Sequence, residues 1–144
     1  RMAWWIYASI AALIWGVHYN LIAKTLTVAS PVSVLALQII PVIVIVPLWY
    51  STISADFKQI LVSTWDVKVS TVAMIFTSVI ATIALYKAIE GSNATLASLI
   101  EISYPVFVAL FAIVIFKENH LDWSTVVGGL LVLSGTALII YNHG

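Results

Sequence analysis

Five long runs of apolar residues dominate this 144-residue sequence and restrict the folds that it can adopt. The hydrocarbon core of a bilayer is about 30 Å thick, and an α-helix rising about 1.5 Å per residue crosses it in about 20 residues. The runs approach this length and are continuous rather than alternating, which favours helices over the strands of a barrel. We therefore predict five membrane-spanning helices, at about residues 3–23, 33–50, 69–89, 94–116 and 123–141.

The composition points in the same direction. Hydrophobic residues make up 62% of the chain and charged residues only 8%, whereas a soluble domain is about half apolar and about a quarter charged. The expected solvent is therefore the lipid bilayer, and the predicted fold class is an all-α integral membrane bundle. A formal net charge of zero argues against nucleic acid as a partner. Without cysteine, the chain has no disulfides and no thiolate ligands.

The connections between the predicted helices are short, with one exception. Ser30 and Pro31 have the residue types of an N-cap and a first helical position, so they are expected to open the second helix. Residues 91–93 are expected to end the third helix and cap the fourth, and residues 117–122 to form a polar turn. The exception is residues 51–68, where apolar side chains recur at helical spacing between charged ones. This pattern predicts a short amphipathic helix lying in the membrane interface.

The positions of the basic residues indicate an orientation. With five spans, the N-terminus and the second and fourth connections lie on one side of the membrane. That side carries Arg1, Lys58, Lys68 and Lys117, and the other side carries Lys24 and Lys87. Because lysine and arginine are enriched on the cytoplasmic side, this small excess predicts a multi-pass protein of the cell membrane with a cytoplasmic N-terminus.

Glu101 is the strongest candidate for a functional residue. It lies well inside the fourth predicted helix, where an ionisable group is costly, by about 3 kcal/mol on insertion scales. Pro105 follows four residues later and cannot donate a hydrogen bond to the Glu101 carbonyl. Interrupted backbone at membrane depth is tolerated against protein or beside a wet cavity. We expect Glu101 to bind a proton, a cation or a substrate amine; the alternative is a neutral or paired glutamate that locks two helices together.

Other polar residues are expected to line the same cavity. They are Ser98 and Tyr104 on the fourth helix, Gln38 on the second, and Asn20 and Lys24 on the first. Gln38 precedes Pro41 and Pro47, which are expected to bend the second helix. For Lys24, snorkelling to the interface is an equal alternative. Ala8, Ala12, Gly16, Asn20 and Lys24 recur at every fourth residue and form one ridge of the first helix. His18 lies off this ridge, and a lone histidine is more typical of a packing hydrogen bond than of a metal site.

Motifs of enzymes are missing from the sequence. The three histidines are scattered and form no metal-ligand pair, and neither a serine-hydrolase elbow nor a phosphate-binding glycine loop occurs. We therefore predict no metal, no cofactor and no enzymatic activity.

Several short motifs run along almost the whole chain. Trp15 and Gly16, followed by Lys24, occur in the first helix. Further motifs are Tyr86, Ala88, Ala94, Ala97, Ser98, Pro105, Val106, Phe107, Ala109, Lys117 and Glu118, then Gly128 and Gly135. In this order and spacing they resemble EamA-type members of the drug/metabolite transporter superfamily. Gln38 departs from that pattern, because many relatives carry arginine at this place.

The resemblance implies a five-helix repeat, commonly present twice per chain in inverted orientation, that moves solutes by alternating access. It also implies that Lys117 and Glu118 lie in a cytoplasmic turn. This sequence holds one repeat, so an antiparallel homodimer or a second homologous repeat is the expected partner. The predicted function is secondary transport, or half of it, of a small metabolite, amino acid or drug-like solute, with Glu101 expected either to carry a coupling proton or to meet a cationic group of the solute. The alternatives are a non-transporting subunit or assembly scaffold and a passive channel.

Overall fold

The computed structural model describes residues 3–144, and this part of the chain contains helices and no strand. Eight helical segments follow one another: α1 (Trp4–Leu26), α2 (Pro31–Leu37), α3 (Ile40–Leu48), α4 (Tyr50–Val62), α5 (Trp65–Gly91), α6 (Ala94–Glu101), α7 (Tyr104–Val114) and α8 (Trp123–His143). Five stretches are long and apolar enough to cross a membrane: Ile6–Leu26, Pro31–Leu48, Trp65–Gly91, Ala94–Val114 and Trp123–His143. The predicted all-α class with five membrane-spanning helices is confirmed.

The chain divides into two units, Arg1–Glu90 and Gly91–Gly144. In the first unit α1 packs against α2, and α3 packs against α4. The buried side chains of this unit belong to three helices: Ile22 and Leu26 of α1, Pro31 and Val34 of α2, and Tyr86 and Ile89 of α5. In the second unit α6 and α7 both pack against α8. Its buried residues Ala94, Ala97 and Thr136 are small, which allows helices to approach closely.

Most large apolar side chains point outward. In α3, for example, no residue is buried, although the segment consists entirely of apolar residues and proline. Such a surface is unfavourable in water and favourable against lipid acyl chains. The outward apolar surface of the five long helical stretches is therefore the surface expected of a protein dissolved in a bilayer.

Side-chain caps fix where three of the helices begin. The Ser30 hydroxyl accepts a hydrogen bond from the Ser33 amide at 3.4 Å, with Pro31 at the first helical position, as predicted. The Asn93 side chain accepts from the Leu96 amide at 2.8 Å, which confirms the predicted cap of α6. Asp122 caps α8 in the same way. Each cap satisfies an N–H group that the first turn of a helix leaves without a partner.

Several helix bounds differ from the sequence-based ones. The second and fourth spans, expected as single helices over 33–50 and 94–116, each consist of two segments. The segment 51–68, expected to form an interfacial helix, contains the shorter helix α4, and the third span begins at Trp65 rather than residue 69. The physical reason for the earlier start is that backbone hydrogen bonding continues through Asp66 and Lys68, although the apolar run begins only after them.

Candidate functional site

Two of the five spans are interrupted in the same manner. In the second span, Gln38 and Ile39 form a turn between α2 and α3, and Pro41 is the second residue of α3. In the fourth span, Ile102 and Ser103 form the turn, and Pro105 is the second residue of α7. Each proline lacks the N–H that would bond to the carbonyl four residues earlier, and each is tolerated in the first turn of the following helix. Proline therefore accounts for both breaks.

Hydrogen bonds at the breaks are of the tighter, 3₁₀ kind. The Ile39 amide donates to the Ala36 carbonyl at 3.2 Å, and the Ser103 amide donates to the Ile100 carbonyl at 3.1 Å. The Ser103 hydroxyl donates to the same Ile100 carbonyl at 2.8 Å. Each break begins seven or eight residues from the start of its span, which is about 11 Å along the helix axis. Both turns thus lie well inside stretches that are long and apolar enough to cross a membrane, where non-helical backbone is rare.

Three of the predicted site residues border the break in the second unit. Glu101 is the last residue of α6 and is half-buried. Ser98, one turn earlier, is also half-buried, and its hydroxyl donates to the Thr95 carbonyl at 3.0 Å. Tyr104 opens α7 with 57% of its surface exposed. A carboxylate, a hydroxyl and a phenol therefore surround one interruption of an otherwise apolar span.

In the first unit, Gln38 belongs to a polar network that joins three helices. Its amide nitrogen lies 3.0 Å from Nε2 of His18 on α1, and this contact is partly buried. The side chain of Tyr86 on α5, which is 2% exposed, lies near Gln38 as well. Because Gln38 is the first residue of the turn, the network lies directly at the break of the second span.

Aromatic rings flank the histidine of this network. Trp15, one turn before His18 on α1, meets the imidazole edge to face with ring centroids 5.1 Å apart. Tyr19 lies against both rings, at 5.7 Å from Trp15 and 6.5 Å from His18. The imidazole therefore has an apolar aromatic wall on its own helix and a hydrogen-bonding amide opposite.

The two remaining predicted residues occupy another face of α1. Asn20 is exposed, and its amide donates to the Gly16 carbonyl at 2.9 Å. Lys24 is exposed in the last turn of α1. Asn20 is two residues from His18, which places it about 200° around the helix. The structure therefore brings Gln38 to His18, and it keeps Asn20 and Lys24 away from that network.

Sequence patterns do not connect His18 or Tyr86 with Gln38. No spacing rule links His18 to Gln38, which lies 20 residues later on another helix. A signal was available for Tyr86, because a tyrosine near the end of a span is either an interfacial anchor or a buried hydrogen-bonding residue. The burial of the side chain distinguishes an anchor from a hydrogen-bonding residue, and that burial depends on which faces of the helices meet.

The second unit also contains an apolar groove of about 490 Å³ between α7 and α8. Small residues shape it, notably Ala109 on α7 with Gly128 and Gly129 on α8, and Thr125 is the polar residue of its wall. Pro105 belongs to the lining as well, so the groove begins at the break in the fourth span. Its chemistry suits an alkyl or aryl group.

The histidine and acidic side chains of the described chain are dispersed. Among residues 3–144, no three histidine or acidic side chains gather closely enough to hold an ion. His120 and Glu118, 3.1 Å apart, form an exposed pair in the turn before α8.

Fold and site together define a class: a polytopic helical membrane protein in which two spans are broken beside polar residues. A family model described as the EamA-like transporter family matches residues 2–141. Because the match covers nearly the whole chain, the protein belongs to this family and is a membrane transporter of the drug/metabolite superfamily. No curated protein sequence and no solved structure matches it significantly.

Proposed function

We propose that this chain is one repeat of a secondary transporter that moves a small organic solute by alternating access, and that Glu101 binds either the coupling proton or a cationic group of the solute. The observation that carries the proposal is the break of two apolar spans at membrane depth, each beside polar side chains. In many transporters, discontinuous helices of this kind surround the substrate and ion sites.

The interrupted helices favour a transport function over the role of a structural subunit. A continuous apolar helix satisfies all of its internal hydrogen bonds, so a scaffold is more stable without interruptions. Here prolines and polar groups coincide twice, at Gln38 with Pro41 and at Glu101 with Pro105. That coincidence supports a polar path through the membrane rather than simple helix packing. We further propose that Ser98, Tyr104, Gln38, Asn20 and Lys24 contact the solute during transport.

The orientation and partner belong to the same proposal. We place the protein in the cell membrane with the N-terminus in the cytoplasm, from the excess of basic residues on that side. A repeat with an odd number of spans is complemented by an inverted copy, with the solute between the two. The proposed partner is a second copy of this chain in the opposite orientation, or a homologous repeat.

Proteoliposomes that contain a pH-sensitive dye test the proposal directly. Pools of amines, amino acids and sugars are added outside, and internal pH is followed with the native chain and with Glu101→Gln. Glu118→Gln serves as the matched control, because Glu118 lies outside the spans in an exposed turn. We expect solute-dependent proton flux that persists in the control and disappears in Glu101→Gln.

Tracer uptake separates the two roles of Glu101. If the glutamate carries the coupling proton, Glu101→Gln still exchanges labelled solute across the membrane but no longer accumulates it. If it meets a cationic group, the variant loses affinity for cationic solutes specifically. Full proton flux in folded Glu101→Gln protein contradicts both roles, and the absence of any flux and exchange in the native chain favours the structural subunit.

A further inference from the structure

The polar network of the first unit contains an imidazole that the proposed transport mechanism does not use. His18 contributes one hydrogen bond, to Gln38, and lies against aromatic rings on its own helix. Polar groups inside a membrane are costly unless they are satisfied, and ionisable ones there commonly have a function. A buried apolar contact between α1 and α2 does not require a histidine.

The orientation that the structure gives the Gln38 amide corresponds to one protonation state of His18. The nitrogen of the Gln38 amide can only donate, so Nε2 of His18 accepts and the imidazole is neutral, with its proton on Nδ1. After protonation, both ring nitrogens carry hydrogen, and Nε2 can only donate. Gln38 then has to turn its amide so that the carbonyl oxygen faces the ring. An amide carries both a donor and an acceptor, so it can serve both states by rotation about its last bond.

We propose that His18 is a proton-binding site, and that Gln38 transmits its protonation to the break in the second span. The site takes one proton from water and releases it there, with no other chemical change. Rotation of the Gln38 amide also exchanges the group that it presents to Tyr86, whose hydroxyl can either donate or accept. Gln38 can therefore keep a hydrogen bond to His18 in both states, as a two-state element requires.

The backbone beside Gln38 is suited to change conformation when His18 is protonated. Gln38 is the C-cap of α2 and the first residue of the turn. Pro41 removes the N–H that would hold the Leu37 carbonyl, and no backbone N–H of the described chain donates to that carbonyl. A turn held by few hydrogen bonds can change conformation at low cost, and free carbonyls at the end of α2 attract a nearby cation.

The charged and titratable groups around His18 are few. On α1 the nearest are the phenol of Tyr19 and, six residues along, the exposed Lys24. The second span, Pro31–Leu48, contains no acidic or basic residue. On α5 the network reaches the Tyr86 phenol, and the neighbouring Lys87 and Glu90 are exposed. Apart from His18 and the two phenols, the titratable groups near this network are therefore exposed.

Nitrogen NMR of the protein in bilayers tests the first part of the proposal. His120→Gln and His143→Gln leave His18 as the single histidine, since the chain contains three. At pH 8 we expect an Nε2 signal typical of a nitrogen without hydrogen, and at pH 5 the signals of an imidazolium. A signal that stays unchanged over this range shows that His18 is only a packing residue and overturns the proposal.

A spin label at the break tests the second part. The chain has no cysteine, so a nitroxide attached to Ile39→Cys is unique. We expect its accessibility to a water-soluble relaxation agent to differ about threefold between pH 8 and pH 5, and to be independent of pH in His18→Gln and in Gln38→Met. A label at Val72→Cys, exposed on the continuous helix α5, serves as the control and should not respond.

The two measurements involve no transport, so they remain informative if the proposed function is wrong. If His18 titrates but the label at residue 39 responds equally in Gln38→Met, transmission through Gln38 is excluded. If Gln38→Met abolishes the response while His18 still titrates, the amide is the transmitting group.

Discussion

At the scale of single residues, the cap of α8 is the best-defined electrostatic feature. One oxygen of Asp122 accepts from the Thr125 amide at 2.7 Å, the Thr125 hydroxyl at 2.6 Å and the Ser124 hydroxyl at 2.8 Å. These hydrogen bonds, the one from the Thr125 side chain foremost, lower the pKa of Asp122 to about 2. An unfolded aspartate has a pKa of about 3.9. The stabilisation by this cap is therefore complete above about pH 4 and is lost as the pH falls toward 2.

Amide hydrogen exchange at Thr125 measures the cap. In the native chain we expect protection of this amide to decrease between pH 4 and pH 2, after correction for the intrinsic exchange rate. Asp122→Asn should keep the protection and lose this pH dependence, because asparagine is also a good N-cap and does not ionise. Asp122→Ala should lose the protection at all pH values. Equal protection in the alanine variant would contradict the role of the carboxylate.

A second residue-scale prediction concerns a hydroxyl without a partner. Thr136 on α8 is 9% exposed, and its hydroxyl has no hydrogen-bond partner in the described part of the chain. Valine has nearly the same shape without the polar group. We expect Thr136→Val to raise the free energy of unfolding in detergent titration by roughly 1 kcal/mol. Thr125→Val should lower it, since that hydroxyl bonds to Asp122. A destabilised Thr136→Val would indicate that the hydroxyl finds a partner in the bilayer.

Sequence patterns predict those residue-scale features that depend on local spacing. The Ser30 and Asn93 caps depend on residues three positions apart, so they could be predicted. The pairing of His18 with Gln38 could not, because helical periodicity defines the faces of one helix but not which faces of two helices meet. For the same reason, the sequence placed Gln38 and Asn20 in one group, although they belong to different environments.

At the scale of helices, the proline positions decide which spans are broken. Pro105 and Pro41 each follow a turn, whereas Pro47 lies inside α3 without interrupting it. The prolines were visible in the sequence and predicted bends. Whether a proline bends a helix or divides it depends on the neighbouring turn, which local hydrogen bonds such as that of Ser103 complete. The sequence therefore located the irregularities but merged each pair of segments into one helix.

Replacement of Pro105 tests whether the fourth span must be broken. Pro105→Ala restores an N–H that can bond to the Glu101 carbonyl and favours a continuous helix by up to about 3 kcal/mol. Such an energy shifts an equilibrium by roughly a hundredfold. We expect the variant to be more stable and to have lost transport in proteoliposomes. Pro47→Ala, at a proline within an unbroken segment, is the control and should retain transport. Unchanged transport in Pro105→Ala would mean that the break is dispensable.

At the scale of the whole molecule, the small charge bias leaves orientation weakly determined. Basic and acidic residues are equal in number, six of each, and the basic residues divide four to two between the predicted sides. Composition alone predicted the bilayer as solvent and the number of spans, because both depend on total apolar length. Which way the chain inserts depends on a few side chains, and a chain with so small a bias can insert both ways.

Two variants with opposite distributions of basic residues across the membrane test the proposed antiparallel pair. Ser63→Lys adds a basic residue between α4 and α5, on the predicted cytoplasmic side, and Val28→Lys adds one between α1 and α2, where the native side chain is 88% exposed. A unique cysteine at Gly144, labelled from either side of the membrane, reports orientation. We expect the native chain to be labelled from both sides and each lysine variant mainly from one. If opposite orientations are needed, each variant alone is inactive and their co-expression restores transport; full activity of either variant alone excludes the antiparallel dimer.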